Sequence, residues 1–474
     1  MSSSNSLLHM SITEIAPMIQ TKKVSPVEIT QSAIIQAEKL SYLNTFITPM
    51  FDYAMDQAKK REKAIGNGEY FGPLDGIPIG IKDNIEVAGV RSTAGTKALN
   101  ENIASVDAHV VTKLKQAGAI ILGKENLHEL AAGGRSNNPH YGFVKNPWDI
   151  EKIPGGSSGG SGANVAACIT FASLGTDIGG SVRFPAHCCG VVGMKQTFGR
   201  ASQRGLMLTS YDGDHISPIT RTVADSAVVL QSYVGHDIHD PTTVKLPLPD
   251  FSKDIGTDLE GIKIGVPLNH YFDVIDDEVE VKVRQSISAL EELGATVVDI
   301  KLPYTEYAGA LWVLMASEMS VTAQKLLKNH GHGVSPDLLV GLLATQFILA
   351  RDYIKAHKLQ RLIKEGFAEA FSKVDAIATP TAPLPAINID ADVVNIKGVE
   401  YSLRLTRDEI MGRATHLSNR TGLPSISVPC GFSDGMPVGL QLIGRPFAES
   451  TLYKIADAYE SSASSSRILA ELAK

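Results

Sequence analysis

A chain of 474 residues with 43% hydrophobic and 20% charged residues can bury a sizeable core, which excludes a disordered or low-complexity protein. Its net charge of -7 comes from interspersed residues with no basic run to neutralise phosphates or anionic lipid, so direct nucleic-acid binding is not expected. No apolar run approaches the roughly 18 residues of a membrane span, and residues 1–23 lack a signal-peptide pattern, so a cytoplasmic protein is expected, with no membrane contact.

In chain order, Ser11 followed by Glu14 marks one helix start, and Ser25 with Pro26 and Glu28 marks a second. Each spacing is that of a capping box, the second with proline at the first helical position. They predict a helical N-terminal region over residues 1–65, its second helix carrying an apolar stripe of Ile29, Ala33, Ala37 and Leu40. Beyond Gly72-Pro73, residues 76–81 read as a strand that delivers Lys82-Asp83-Asn84 to its end. Residues 107–117 read as a helix closed by Gly118, with a buried strand at 119–122. The order repeats in a helix through Val281 and Leu293, then Gly294, then a strand at 295–300. Further strands are expected at 262–266, 376–378, 425–428 and 438–443. Helix, capping glycine and strand in sequence are the units of an α/β fold with helices on both faces of a sheet. Residues 236–249 and 384–400 are expected surface excursions, the second a lid near the site. No tandem repeat or linker divides the chain, so one domain over 1–474 is expected.

The chemistry concentrates in two Gly/Ser stretches, Gly-Gly-Ser-Ser-Gly-Gly-Ser at 155–161 and Gly-Thr-Asp-Ile-Gly-Gly-Ser at 175–181, both read as loops. Glycines let backbone N–H groups approach a ligand closely, for an anion cradle or an oxyanion hole. A phosphate loop requires Lys-Ser or Lys-Thr where Ser161-Gly162 and Ser181-Val182 stand, and residues 152–154 make a poor strand for a dinucleotide fold. Acyl transfer explains more. A serine hydroxyl attacks once a base takes its proton, and a lysine serves as that base if burial keeps it neutral. His128-Glu129 lacks the second histidine of a zinc helix, since Ala132 holds that place. His330 and His332 read as solvated loop residues. Cys168, Cys188, Cys189 and Cys430 lack paired metal-site spacing and are expected to be buried free thiols, with no base beside Cys188-Cys189.

Gly155 to Ser161, Gly175 to Ser181 with Arg183, Pro185 and Ala186, and Gly190-Val191-Val192-Gly193-Met194-Lys195 together resemble the core of the amidase signature family. The match runs from about residue 74 to 222, with an echo in 421–444. The resemblance implies a single large mixed β-sheet covered by helices, a catalytic core at 74–222 and a variable substrate-side half at 223–474. It implies a triad in which Ser181 attacks, Ser157 bridges and Lys82 is the base, and an oxyanion hole from the N–H groups of Ile178, Gly179, Gly180 and Ser181. It places Ala131, Ala132, Gly133 and Gly134 on the acyl side of the substrate and requires no metal or organic cofactor. Ser158 and Ser161 are expected to be hydrogen-bonding loop residues, Asp177 and Arg183 a structural ion pair, and Lys195 structural.

The family holds stand-alone hydrolases of small amides and the subunit of a tRNA-dependent amidotransferase that releases ammonia from glutamine. In that second branch an acidic side chain before a Gly-Leu-Pro stretch and an arginine from a preceding helix are expected to grip the glutamine. Counting back from Gly422-Leu423-Pro424, the acidic position falls at Gly412, with Asp408 about a turn away. The helical stretch 335–355 has no arginine near Leu339 and Val340, and Arg351 lies too far along. The expectation is therefore a stand-alone amidase that splits a small-molecule amide into acid plus ammonia or amine. The glutamine-hydrolysing subunit is the alternative. A silent binding protein is a third reading, against which the three intact catalytic positions speak. The oligomeric state is open, a homodimer included.

Overall fold

The computed structural model describes residues 7–207, 210–403, 410–463 and 469–470. Helix α1 (Ile12–Gln20) begins as its sequence dictates, with Ser11 and Glu14 closing a reciprocal capping box. At α2 (Pro26–Lys39) Ser25 accepts the Val27 N–H at 2.9 Å, but its hydroxyl goes to Glu62 of α3 (Phe51–Gly66) rather than into a box with Glu28. The stripe of Ile29, Ala33, Ala37 and Leu40 is buried as expected.

Eleven strands form one mixed sheet. In chain order they are β1 (Phe46–Pro49), β2 (Pro78–Lys82), β3 (Ile120–Glu125), β4 (Ala172–Asp177), β5 (Val192–Lys195), β6 (His215–Thr220), β7 (Lys263–Pro267), β8 (Thr296–Ile300), β9 (Ala376–Pro380), β10 (Ser425–Ser433) and β11 (Met436–Gly444). Their order across the sheet is β1-β3-β2-β4-β6-β5-β10-β11-β9-β7-β8. Parallel trios, β3-β2-β4 and β9-β7-β8, flank an antiparallel centre. Strand β2 is buried on both faces, so its small and isoleucine side chains are what the position demands. It ends on Lys82, paired in register with Glu125 of β3, at the carboxyl end of a parallel trio where α/β sheets place their sites.

The remaining helices are α4 (His109–Gln116), α5 (Gly159–Ala166), α6 (Arg183–Cys189), α7 (Val223–Tyr233), α8 (Asp277–Glu292), α9 (Trp312–His330), α10 (Pro336–Thr345), α11 (Ala350–Phe371), α12 (His416–Thr421) and α13 (Glu449–Ser462). The two Gly/Ser stretches are therefore not simple loops. The first runs into α5, and the second is the end of β4 and the turn into α6. Glycine in a helix costs about 1 kcal/mol, but here contact requires it: a Cβ on Gly160 would lie 2.4 Å from Asn126 O and 2.6 Å from Thr45 O.

Three other stretches depart from expectation. Residues 335–355 are not one helix, because α10 ends at Thr345 and α11 begins at Ala350. Residues 384–400 carry the start of a hairpin, Val393–Ile396 with Val399–Ser402, and bury Ala386 and Ile396 in a cluster with Ile153, Phe184 and Met411. Residues 236–249 are tied down at one end, where Asp237 and Asp240 are buried and accept hydrogen bonds from Ser202. All four cysteines are buried free thiols, and burial pushes Cys188 and Cys189 far above the ordinary thiol range, so neither is a nucleophile. Among the described residues no helix is long and apolar enough to cross a membrane.

Candidate active site

Lys82 is fully buried, with Nζ 2.7 Å from Ser157 Oγ and 2.7 Å from Thr176 Oγ1. Burial pulls its ammonium down to about 7, against the opposing charges of Asp214, Asp177 and Glu125. A lysine so placed is poised between charged and neutral forms near neutral pH. Sequence reasoning misses Thr176. It stands on β4 beside β2, and Asn84 Nδ2 also donates to its Oγ1, at 3.2 Å. The one signal is the adjacency of Thr176 to the Asp177–Ser181 run, which has meaning once β4 is known to pair with β2.

Ser157 follows Gly156 through a cis peptide bond, and its carbonyl accepts the His128 N–H at 3.0 Å. The next residue ties the two serine segments together: Ser158 N–H donates to Ser181 O at 3.3 Å, and Ser158 Oγ donates to Thr176 O at 3.1 Å. Ser158 is thus a hydrogen-bonding residue as expected, and Ser161, on α5, acts on the Glu125 carboxyl. Ser181 sits at the mouth, 9% exposed, against 0% for Ser157.

The turn that carries Ser181 is held from behind. Arg183 meets Asp177 twice, Nη2 to Oδ1 at 2.8 Å and Nε to Oδ2 at 3.0 Å, and both are fully buried. Burial works against the Asp177 anion, but the Arg183 guanidinium overrides it and holds the carboxyl far below the usual range. Asp177 also accepts the N–H groups of Gly180 at 2.8 Å and Val182 at 3.1 Å. Of the four N–H groups expected to face an oxyanion, Gly180 therefore points into the protein. Those of Ile178, Gly179 and Ser181 donate to no acceptor among the described residues. Gly180 adopts φ +119°, and a Cβ there would lie 2.1 Å from Thr415 Oγ1, so glycine is required twice over.

Residues 133–134 lie against Gly156, just before Ser157. A Cβ on Gly156 would come 2.7 Å from the Gly134 carbonyl carbon, Gly134 faces Phe184 and Met411, and Ala131 is buried while Ala132 and Gly133 are half-buried. Opposite, Trp312 of α9 stacks on His416 at 4.1 Å and closes over Gly179. A cleft of about 380 Å³ lined by Trp312, Gly412, Arg413 and His416 opens beside it. Neither Trp312 nor Thr415 is legible in the sequence, since each reaches the site from far along the chain.

Other candidates fall away. Glu129 accepts the Ser335 N–H at 3.2 Å and meets His140 Nε2 at 2.8 Å, a structural arrangement, and His330 and His332 are exposed. Lys195 lies 3.3 Å from His215 Nε2 and donates to Gln196 O at 3.0 Å, and burial pushes both side chains well below their ordinary range. Among the described residues no three His, Cys, Asp or Glu side chains are grouped to hold a metal. Gly412 contributes no carboxylate, Asp408 lies outside the described residues, and Arg351 is exposed on α11 beside Asp352.

Residues 28–453 match the family described as Amidase. The chain belongs to the amidase family. It is an amide hydrolase with the α/β amidase signature fold, acting on linear carbon–nitrogen bonds. A glutamyl-tRNA(Gln) amidotransferase subunit from Moorella thermoacetica is 38% identical over 481 residues, covering 96% of this amidase and 97% of the relative. A solved chain from a vestigial protein complex bearing on the origins of an s-triazine catabolic enzyme superposes with TM-score 0.90 at 29% identity, covering 96% and 99% of the two chains. A bacterial aryl acylamidase of the amidase signature family superposes with TM-score 0.88 at 27% identity, covering 96% of each.

Proposed function

We propose that this amidase hydrolyses a carboxylic amide through an acyl-enzyme on Ser181, with Ser157 and Lys82 moving the proton. One observation carries the reading: a fully buried lysine, brought to about 7 by that burial, lies 2.7 Å from the Ser157 hydroxyl. Neutral Lys82 accepts the Ser157 proton while Ser157 accepts that of Ser181, whose oxygen bonds to the amide carbon. The Ile178, Gly179 and Ser181 N–H groups receive the charge that develops on the carbonyl oxygen. Each such donor is worth roughly 2.7–4 kcal/mol of transition-state stabilisation. The Gly180 N–H instead anchors the turn on Asp177. Ser157 then returns a proton to the departing nitrogen, because an amine anion leaves badly, and water attacks the ester to free the acid and regenerate Ser181. Residues 131–134 would hold the acyl side, next to Met411 and Phe184.

The relatives bear on which amide. Likeness to an amidotransferase subunit over 96% of this chain favours the reading held second in the sequence, with glutamine as substrate and ammonia as the released product. It also withdraws the expectation that no nucleic acid is involved, which rested on charge pattern alone. Such an enzyme would work in the cytoplasm with partner chains. The glycine at 412 is the feature that favours another amide. Assaying the purified chain on glutamine, aliphatic amides, aryl anilides and amidated peptides separates the readings. Preference for glutamine, increased by amidotransferase partner chains, supports the glutamine-hydrolysing role. Turnover of other amides with glutamine ignored supports a stand-alone enzyme, and no release from any of them would overturn both.

A further inference from the structure

Behind Lys82 lies a second buried ionisable group that the mechanism above does not use. Glu125 ends β3 in register with Lys82, but its side chain does not stay on its own strand. It crosses β2 at Gly80, where a Cβ would lie 1.7 Å from Oε1, and reaches β4 on the far side. There Oε1 accepts Ser173 Oγ–H at 2.6 Å and the Asn164 Nδ2–H of α5 at 2.8 Å. The crossing is possible because residue 80 has no side chain.

The remaining atoms do not balance for an ionised carboxylate. Glu125 Oε2 and Asn164 Oδ1 are both acceptors, and both are buried without a partner among the described residues. The Ser161 hydroxyl also acts on this carboxyl, and a protonated Oε2 becomes a donor itself. A proton on Oε2 removes one buried acceptor, whereas an anion there relies on Ser161, Ser173 and Asn164 to offset its burial.

We propose that Glu125 is a positioning residue for the base Lys82, a buried carboxylic acid whose protonation sets the pH at which the lysine becomes neutral. The inference rests on Lys82 acting as base. Burial raises the Glu125 carboxyl to about 7, against the pull of its Ser161, Ser173 and Asn164 neighbours and of Lys82. The groups around the pair are few. β2 presents Lys82, α5 the uncharged Ser161 and Asn164, β4 Ser173 and Asp177, and the turn before β6 Asp214, while neighbouring Lys124 is paired with Asp83 at 3.0 Å. Asp177 is committed to Arg183 and Asp214 accepts the Ser210 N–H, while Glu125 is a neighbouring carboxyl that burial carries into the working range. When it ionises, its anion favours the charged lysine, and the two groups titrate as a pair.

The test is the acid limb of the kcat/KM profile on any amide the enzyme turns over, for the unaltered enzyme, Glu125→Gln, Ser173→Ala and Lys82→Ala. Glu125→Gln removes the anion that forms at about 7, so the limb should move to lower pH, with kcat/KM rising by up to about twofold near and just above pH 7 and staying unchanged well below it, where Glu125 is already neutral. Ser173→Ala removes a bond that favours the anion and should move the limb the same way by less. A folded Glu125→Gln enzyme with an unmoved limb overturns the proposal, as does an unmoved limb in Ser173→Ala should the first variant not fold. Substantial activity in Lys82→Ala would instead remove the base itself, so the two failures are told apart.

Discussion

The turn that carries Ser181 and the outer helices α9 to α11 are built on opposite principles. Every residue of α5 and of α6 is buried, and the segment between them is fixed by charged and polar side chains that find one another inside the protein. By contrast α10 buries Leu342 and Thr345 alone of its ten residues, and Val321, Val340 and Phe347 on the outer layer are 72%, 69% and 81% exposed. The inner region tolerates little because each buried polar group depends on a partner. The outer one rests at its far end on a small apolar cluster around Ala323, Leu326, Val334 and Leu342, while Leu314 of α9 and Ile363 and Phe367 of α11 join a larger core. The geometry of the candidate site is thus kept by one part of the fold, while Trp312, which closes over Gly179, is contributed by the other.

Substitutions sharpen that contrast, beginning with the inner region. Asp177→Ala strands the Arg183 charge in the interior and should cost about 3–5 kcal/mol in denaturant unfolding, where a loss below about 1 kcal/mol would mean the pair does not hold the turn. Lys82→Ala should lower amide turnover by about 10²–10⁴-fold with far-UV circular dichroism unchanged. Gly180→Ala places a Cβ 2.1 Å from Thr415 Oγ1 at φ +119° and should cost on the order of 2 kcal/mol in thermal unfolding, with turnover falling as the turn shifts. At the other extreme, Phe347→Lys on the outer layer should change stability by no more than about 0.5 kcal/mol. A large loss there would show that the exposed apolar face is part of the folded core.

The same division explains what can be read without coordinates. Helix starts at Ser11 and Ser25, the strands ending at Lys82 and following Gly118 and Gly294, and the Asp177–Arg183 pair are legible because local spacing encodes them. The Gly/Ser stretches read as loops because glycine signals flexibility locally, while in the fold Gly160 is packed between the Asn126 and Thr45 carbonyls, which are distant in sequence. Thr176, Thr415, Trp312 and Glu125 escape the sequence for a related reason. Their roles come from strand neighbours and from helices arriving late in the chain, and only Thr176, which adjoins the Asp177–Ser181 run, has a local neighbour that marks chemistry. Of the four N–H groups expected from the resemblance, that of Gly180 is taken by Asp177, an acceptor only three residues away.

The central claim is that Ser181 is the nucleophile and that Lys82, drawn to about 7 by burial, must lose its proton for Ser181 to react. Labelling by a fluorophosphonate, followed by peptide mapping across pH, tests it most directly. The label should fall on Ser181 at a rate that rises as pH increases through about 7, since the lysine is charged and inert below that point. A label on another residue, or a rate at Ser181 that ignores pH across that interval, would contradict the account.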